Sequence, residues 1–355
     1  MKKQLVILNI LAVAFFFACW FLLGFELSDP MMFKTADSES YLAVAEWIFG
    51  GEETFSTSTR PVLYPALLGG SYFAFGEIGV WLLHFACWLL SINLTFISTQ
   101  KWSKSPIVAW ISAVLILGNL SFISLTFHAL TEVVTTALLS VLFYHVVSYW
   151  KRYNEVQFGV KLLLIFVLLT LVKPAFFYPT IVCLVLMLFA YRKMYLQAPK
   201  RLIYPILVIV PILLQMSIVQ SHHGSFKVSK IAGITFKYYY FAQCVRTIEG
   251  INEQESKDFV EPMTSSEQMD YLLDNKGVCV KQFAENVILN MKADPDFLKK
   301  EYSKGSDVAF SYMRLYNLFG LCVNLLGGAL LSVLFLRAFF KRNREVWVPL
   351  LCVGG

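Results

Sequence analysis

The chain alternates long apolar runs with short polar segments, a pattern typical of a protein that crosses a membrane several times. Such runs predict spans at 4–25, 78–99, 106–127, 131–149, 160–172, 175–190, 202–219 and 315–338. The first run follows Met1-Lys2-Lys3 and is longer than the apolar core of a cleaved signal peptide. We therefore expect an uncleaved signal anchor at the N-terminus.

The basic residues predict which face each loop occupies, because short loops rich in lysine and arginine stay in the cytoplasm. Counting Lys161, 15 of the 30 basic residues fall in short segments of this kind, accompanied only by Glu155 and Glu345. The remaining 15 basic and 22 acidic residues fall on the opposite face. This distribution predicts a cytoplasmic N-terminus and two outer segments, residues 26–77 and 221–313.

Two ambiguous segments are assigned by the same rule. If residues 61–76 spanned the membrane, every later basic cluster would change sides, so they are predicted to belong to the outer loop 26–77. One unbroken helix over 160–190 would place the next basic cluster outside. Proline disfavours a helical residue before it, so Lys173-Pro174 predicts two short helices that meet on the outer side.

These assignments predict an all-α polytopic membrane protein with three parts. Residues 1–220 form a membrane-embedded module, 221–313 a small, mostly helical outer domain, and 314–355 the C-terminal spans, which we expect to continue beyond Gly355. In the outer domain, 255–275 and 280–302 have helical spacing, while 227–241 fits a strand or a helix. Cys244 and Cys279 are expected to form a disulfide if this face is oxidising.

Composition supports a membrane protein and gives no sign of a nucleic-acid partner. The chain is 57% hydrophobic and 15% charged, whereas soluble proteins carry about 25% charged residues. The net charge of +6 is spread over short loops and is not concentrated in one solvated domain.

Four charged residues on the predicted outer face are candidates for chemistry. Asp37 precedes a helical stretch and fits an N-cap, a role that can coexist with a functional one. Arg60 enters an apolar segment, where its planar fork suits either a bound phosphate or lipid headgroups. Glu132 fits the first turn of a helix, capped by Thr131, or a functional acid. Lys173 fits a snorkelling lysine or a second functional cation.

Taken together, these two acids and two cations fit a reaction on a lipid phosphate at the membrane surface. Cations stabilise a phosphate leaving group, and a carboxylate takes the proton of an acceptor hydroxyl.

At these residues the chain resembles the GT-C glycosyltransferases, in the branch of protein O-mannosyltransferases and lipid A aminoarabinose transferases. The likeness lies in the order of short motifs over about residues 1–190: one span, Asp37 shortly before Tyr41, Arg60-Pro61 followed by Tyr64, an acid heading a helix at Glu132, and a basic-Pro pair at Lys173-Pro174. Glu132 stands where the aminoarabinose transferases have aspartate, and Lys173 stands where arginine is commoner.

The resemblance implies transfer of a sugar, with inversion, from a polyprenyl-phosphate donor to a glycan, lipid or protein acceptor at the outer face of the cytoplasmic membrane. It implies Asp37 as general base, Glu132 as a second acid, and Arg60 and Lys173 as the cations for the donor phosphate. Tyr41, Tyr64 and Glu39 would position substrate. No cofactor is implied, and Asp37-Ser38-Glu39 is only a loose Asp-x-Asp, so a divalent metal stays open.

Two other functions fit the same residues. A transporter or flippase of lipid-linked sugars would use the charges only to bind the headgroup, and such proteins often contain broken helices. A structural subunit would use the outer domain to bind a partner, and Arg60 and Glu132 would then matter only for stability.

Overall fold

The computed structural model describes residues 1–23, 37–53, 59–292, 307, 310–323 and 326. These residues form helices and connecting segments, with no strand among them. Four helices are long and apolar enough to cross a membrane, or five if one bent pair is a single span. Together with two shorter apolar helices, they identify an all-α, membrane-embedded protein.

The helices of the membrane-embedded part follow the predicted spans closely. Their bounds are α1 Lys2–Leu23, α2 Ser38–Ile48, α3 Leu63–Ser103, α4 Pro106–Leu117, α5 Leu120–Ser124, α6 Glu132–Tyr149, α7 Val156–Val172, α8 Phe177–Ala190, α9 Arg192–Gln197 and α10 Ile203–His223. Of the predicted span 315–338, the structure describes residues 315–323 and 326. Residues 310–323 form a helix, and the remainder of this predicted span lies outside the described residues.

The predicted break at Lys173-Pro174 is confirmed. Lys173 adopts an extended conformation after α7, and a 3₁₀ turn over Pro174–Phe176 leads into α8. The chain therefore turns back after only 17 residues of α7.

The predicted boundary at Gly76 is also present, as a sharp break inside α3. Phe75 and Gly76 leave the helical conformation, and Gly76 has a φ of +62°, which favours glycine. A Cβ atom at Gly79 would collide with the carbonyl oxygen of Ser71. In a straight helix, residues eight apart are separated by about 12 Å. The arm 63–74 therefore folds back against the arm 77–103.

A predicted span over 106–127 proved to be two helices bent by 56° between α4 and α5. Asn119 begins the second helix, because its side chain accepts a hydrogen bond from the amide of Phe122 at 3.0 Å. A 3₁₀ turn over Leu125–Phe127 then leads towards α6.

The core of this part is built around α3. Its second arm packs against α6, α4 and α1, and an aromatic cluster fills the interface. Phe16 of α1 lies at the centre of that cluster and contacts Trp81, Phe85, Trp88 and Phe127. A second cluster lies between α7, α8 and α10. Helix α2 packs on the first arm of α3, which brings the two outer-loop motifs together.

The outer domain begins with α11 Ile231–Thr235, a π-helix Phe236–Phe241 and α12 Ala242–Glu249, and continues with α13 Glu253–Val260, α14 Ser265–Asp274 and α15 Lys276–Lys292. Of residues 227–241, for which strand and helix were both open, 231–241 are helical. The helical spacing predicted over 255–275 is confirmed, but it forms two helices. Thr264 and Glu267 form a capping box that starts a new helix two residues after Pro262.

Cys244 and Cys279 are buried between α12 and α15, and both are free thiols. The helices face one another here, since Asn286 donates to Gln243 at 2.9 Å and Tyr240 donates to the Cys279 carbonyl at 2.9 Å. Their pairing in an oxidising compartment stays a prediction.

Burial raises the pKa of the Cys244 thiol to about 12. Because the thiolate is the reactive form, we expect reduced protein to react slowly with iodoacetamide at pH 8 and faster as the pH approaches 12. Mass spectrometry of the labelled peptide measures this rate, with denatured protein as the control. Labelling of the folded protein at the denatured rate would contradict the burial of this thiol.

The reversal of the chain inside α3, where the arm 63–74 folds back on the arm 77–103, leads to a second prediction. Gly79→Ala is expected to destabilise the protein by about 1–3 kcal/mol, the usual cost of overpacking, because the methyl group meets backbone at Ser71. Thermal unfolding in detergent measures this loss. The matched control is Gly70→Ala, where the nearest atom is the Phe49 Cζ at an ordinary 3.8 Å. Equal stability of the two variants would contradict the reversal.

Candidate functional site

Arg60 lies in the connection between α2 and α3, and residues far along the chain hold the end of that connection in place. Ser229 donates to the Thr59 carbonyl at 2.5 Å, and the Val62 amide donates to Gln215 Oε1 at 3.1 Å. Gln215 also donates to the Val228 carbonyl at 3.1 Å. The backbone on both sides of Arg60 is therefore fixed by α10 and the segment that follows it.

The Arg60 guanidinium binds three groups of the outer loop. Nη2 donates to Asp37 Oδ1 at 2.6 Å, Nε to Ser40 Oγ at 3.0 Å, and Nη1 to the Tyr41 hydroxyl at 3.2 Å. Its Cζ atom lies 4.6 Å from the centre of the Tyr41 ring, a cation–π distance. The Arg60 side chain is only 9% exposed, whereas that of Asp37 is 65% exposed. The almost buried Arg60 side chain thus holds the accessible Asp37 carboxylate in place.

The expectation that Asp37 caps a helix is wrong, although the residue does stand directly before α2. Its side chain makes no capping hydrogen bond. A capping carboxylate must turn towards the amides of its own first turn. Here the carboxylate turns to a guanidinium 23 residues later in the chain.

Glu132 and Lys173 form a second ion pair, with Lys173 Nζ 3.1 Å from Glu132 Oε1. Glu132 is the first residue of α6, and Lys173 directly follows α7. Both side chains are about 40% exposed, at 39% and 41%. The Oε2 atom of Glu132 is buried and has no hydrogen-bond partner within the described part of the chain. The expectation that Thr131 caps α6 is wrong, because its side chain makes no capping hydrogen bond.

The Tyr41 hydroxyl interacts with residues of both ion pairs. Burial raises the pKa of its hydroxyl, and this outweighs Arg60 and Thr131, which favour the ionised form. Glu132 and Asp37 raise that pKa further. Tyr41 therefore stays a neutral phenol near pH 7. Asp37, Arg60 and Glu132 all act on this hydroxyl, and Lys173 joins them through its ion pair with Glu132, so we treat the four charged residues as one site.

The other two predicted positioning residues occupy different places. Tyr64 is fully buried beneath Tyr41, with the ring centres 5.0 Å apart and the rings at 87°. It therefore cannot touch a substrate at the surface, which corrects the role expected for it. Glu39 is exposed and, within the described residues, forms no hydrogen bond or ion pair with the four charged residues. The structure does not bring it into the site.

Sequence reasoning missed several residues of the site: Ser40, Thr131 as a neighbour of Tyr41, Gln215, Ser229 and His84. Of these, His84 carried a usable signal, because a titratable residue inside an apolar span is a functional candidate by default.

The described residues contain no cluster of three His, Cys, Asp or Glu side chains that could hold a metal ion. The two carboxylates of the site are each paired with a cation, so these residues do not fit a divalent-metal centre.

Comparisons with models of protein families, with curated proteins and with solved structures found no match to this chain. The fold and the site define an all-α membrane-embedded protein with a paired-charge cluster, and its function is inferred from that cluster.

Proposed function

We propose that the chain is a membrane glycosyltransferase of the GT-C type, which transfers a sugar from a polyprenyl-phosphate donor to a glycan, lipid or protein acceptor at the outer face of the cytoplasmic membrane. The observation that carries the proposal is that the Tyr41 hydroxyl binds Arg60 of the first ion pair and interacts with Glu132 of the second. Their four residues come from motifs that extend over 137 positions, from Asp37 to Lys173, and were selected by charge, predicted face and motif order.

The reaction assigns each residue a step. The acceptor hydroxyl attacks the anomeric carbon, a new C–O bond forms, and the bond to the phosphate oxygen breaks. Asp37 takes the hydroxyl proton, since its carboxylate is exposed and only Oδ1 is bound to Arg60. The polyprenyl phosphate leaves with the electron pair of the broken bond, and a cation stabilises its charge.

The geometry favours a division of roles between the two cations. Three nitrogens of Arg60 already bind neighbours and its side chain is almost buried, so it holds Asp37 and Tyr41 in position. Lys173 is more exposed, and Glu132 takes one of its three donors. Lys173 is therefore the cation better placed for the phosphate, and Glu132 keeps it oriented.

The cluster carries no net charge, because its two carboxylates balance its two cations. A donor phosphodiester would add one negative charge, and transfer leaves that total unchanged, because the proton that Asp37 takes up balances the second negative charge of the departing phosphate.

The proposal is tested with purified protein in liposomes that contain lipid extract from cells lacking the gene. A transferase consumes a lipid-linked sugar and releases polyprenyl phosphate, which mass spectrometry detects. A flippase, favoured by the bend between α4 and α5, moves the lipid across the bilayer without consuming it. Movement without consumption, or neither activity, would overturn the proposal.

The face on which the site lies is tested by topology. We expect a reporter fused after Lys101 to read as cytoplasmic, because Lys101 and Lys104 lie at the opposite end of the second arm of α3 from the site. A second fusion after Gly50, next to α2, should read as external. The reverse result at either position would remove the site from the outer face.

A further inference from the structure

We infer that His84 is a positioning residue that holds the two halves of the site together; this rests on the proposed function. His84 is fully buried in the second arm of α3 and lies between two hydrogen-bonding partners. Its Nε2 atom is 3.1 Å from the Tyr64 hydroxyl, and its Nδ1 atom is 3.2 Å from the Thr126 carbonyl oxygen. An imidazole in an apolar core is unfavourable unless both nitrogens are bound, and here both are.

The two hydrogen-bond partners of His84 determine which of its ring nitrogens carries a proton. The Thr126 carbonyl can only accept, so Nδ1 of His84 carries a proton and donates it. Within the part of the chain that the structure describes, no acidic side chain is hydrogen-bonded to His84; a buried imidazole of this kind is neutral, so Nε2 is an acceptor. The Tyr64 hydroxyl must then donate to His84. This fixes the Tyr64 ring, which also lies nearly parallel to the imidazole, at an interplanar angle of 6°.

Tyr64 transmits this restraint to the Asp37 half of the site. Its ring packs edge-on against Tyr41, and Tyr41 lies beneath the Arg60 guanidinium and binds it through its hydroxyl. A rotation of Tyr64 would leave space beside Tyr41 and loosen the support of Arg60. Asp37 would then lose its fixed position.

Thr126 transmits the restraint to the Glu132 half. It lies in the 3₁₀ turn before α6, and its own side chain binds the Ile123 carbonyl at 2.7 Å. Glu132 follows six residues later and begins α6. His84 is thus a hydrogen-bonded link between the helix pair that carries Arg60 and the turn that leads to Glu132.

The inference is tested with three substitutions. Glutamine at position 84 has an acceptor and a donor at about the spacing of the two ring nitrogens, so His84→Gln should keep both bonds. His84→Leu keeps the apolar volume but loses both bonds. Tyr64→Phe removes only the hydroxyl that donates to His84.

The first readout is sugar transfer in liposomes. We expect His84→Leu to lower kcat about 10-fold or more with little change in KM, and His84→Gln to retain most of the wild-type rate. In the Tyr64→Phe background, His84→Leu should lower kcat by less than it does alone, because the bond is already absent. Equal rates for His84→Gln and His84→Leu would overturn the inference.

The second readout needs no substrate, so it separates this inference from the proposed function. Hydrogen exchange of the detergent-solubilised protein is followed in peptides covering α2, residues 59–64 and residues 125–131. His84→Leu and Tyr64→Phe should speed exchange in α2, and His84→Leu should also speed it in 125–131, while His84→Gln leaves both near wild type. Unchanged exchange in all variants would overturn the positioning role, even if transfer is observed. If His84→Leu does not fold, the exchange rates of the other two variants still test the positioning role: Tyr64→Phe should speed exchange in α2, and His84→Gln should not.

Discussion

Replacing Arg60 by lysine is expected to lower sugar transfer by about 100-fold, although the charge is kept. The guanidinium binds Asp37, Ser40 and Tyr41 through three separate nitrogens. A lysine ammonium is a single point, so it cannot meet all three partners from the same position. Misplacing a catalytic group by about 1 Å can cost 100-fold in rate, and Asp37 would lose its fixed position. The measurement is the rate of polyprenyl-phosphate release in liposomes.

The matched control for this variant is Arg152→Lys. Arg152 forms an exposed ion pair with Glu155 at 3.9 Å, away from the site, so the same chemical change should leave the rate within about twofold. The amount of each variant in the membrane is measured alongside. A wild-type rate for Arg60→Lys would mean that the position requires charge only, and the positioning role of its fork would be refuted.

Asp37→Asn is the second substitution with a large expected effect. Asparagine keeps the shape and can still accept a hydrogen bond from Arg60, but it cannot take a proton. General-base catalysis contributes about 10²- to 10⁴-fold, so we expect transfer to fall by that factor while insertion and abundance are maintained. The lipid-linked sugar should accumulate in cells that carry only this variant, and lipid mass spectrometry measures its pool.

Glu46→Gln serves as the control for the loss of one negative charge from α2, because Glu46 lies on the same helix and is exposed. It should support transfer at the wild-type rate. Because Asp37→Asn also leaves the charge of Arg60 without its partner, thermal unfolding of both variants is compared. Full activity of Asp37→Asn would refute the assignment of this carboxylate as the base.

Charge distribution located two breaks in the helical segments, while the faces that it assigns to the loops stay a prediction. It located the turn at Lys173-Pro174 and the boundary at Gly76, because each follows from a local signal, a proline or a glycine, between basic clusters. It did not reveal the reversal in α3, which depends on contact between Ser71 and Gly79. The bend between α4 and α5 was also missed, since Gly118 and Asn119 interrupt an apolar run too briefly to change its length.

For the site, motif order identified the four charged residues, but not how they pair. Asp37 illustrates the reason: a local N-cap and a distant ion pair use the same side chain, and only the packing of α2 on α3 decides between them. Tyr64 shows the same limit. An aromatic residue close to Arg60 in sequence fitted a surface role, yet the first turn of α3 directs it into the core.

The hydrogen bonds around Thr59 and Val62 have a consequence for how the protein matures during synthesis. The groups that fix the Arg60 connection, Gln215 and Ser229, come 153 and 170 residues after their partners. Helices α1 to α9 are therefore synthesised while this connection lacks those bonds. The site becomes complete only when α10 and the segment after it, as far as Ser229, have been synthesised. A nascent chain held in the translocon before that point carries every charged residue of the site, but not the geometry that unites them.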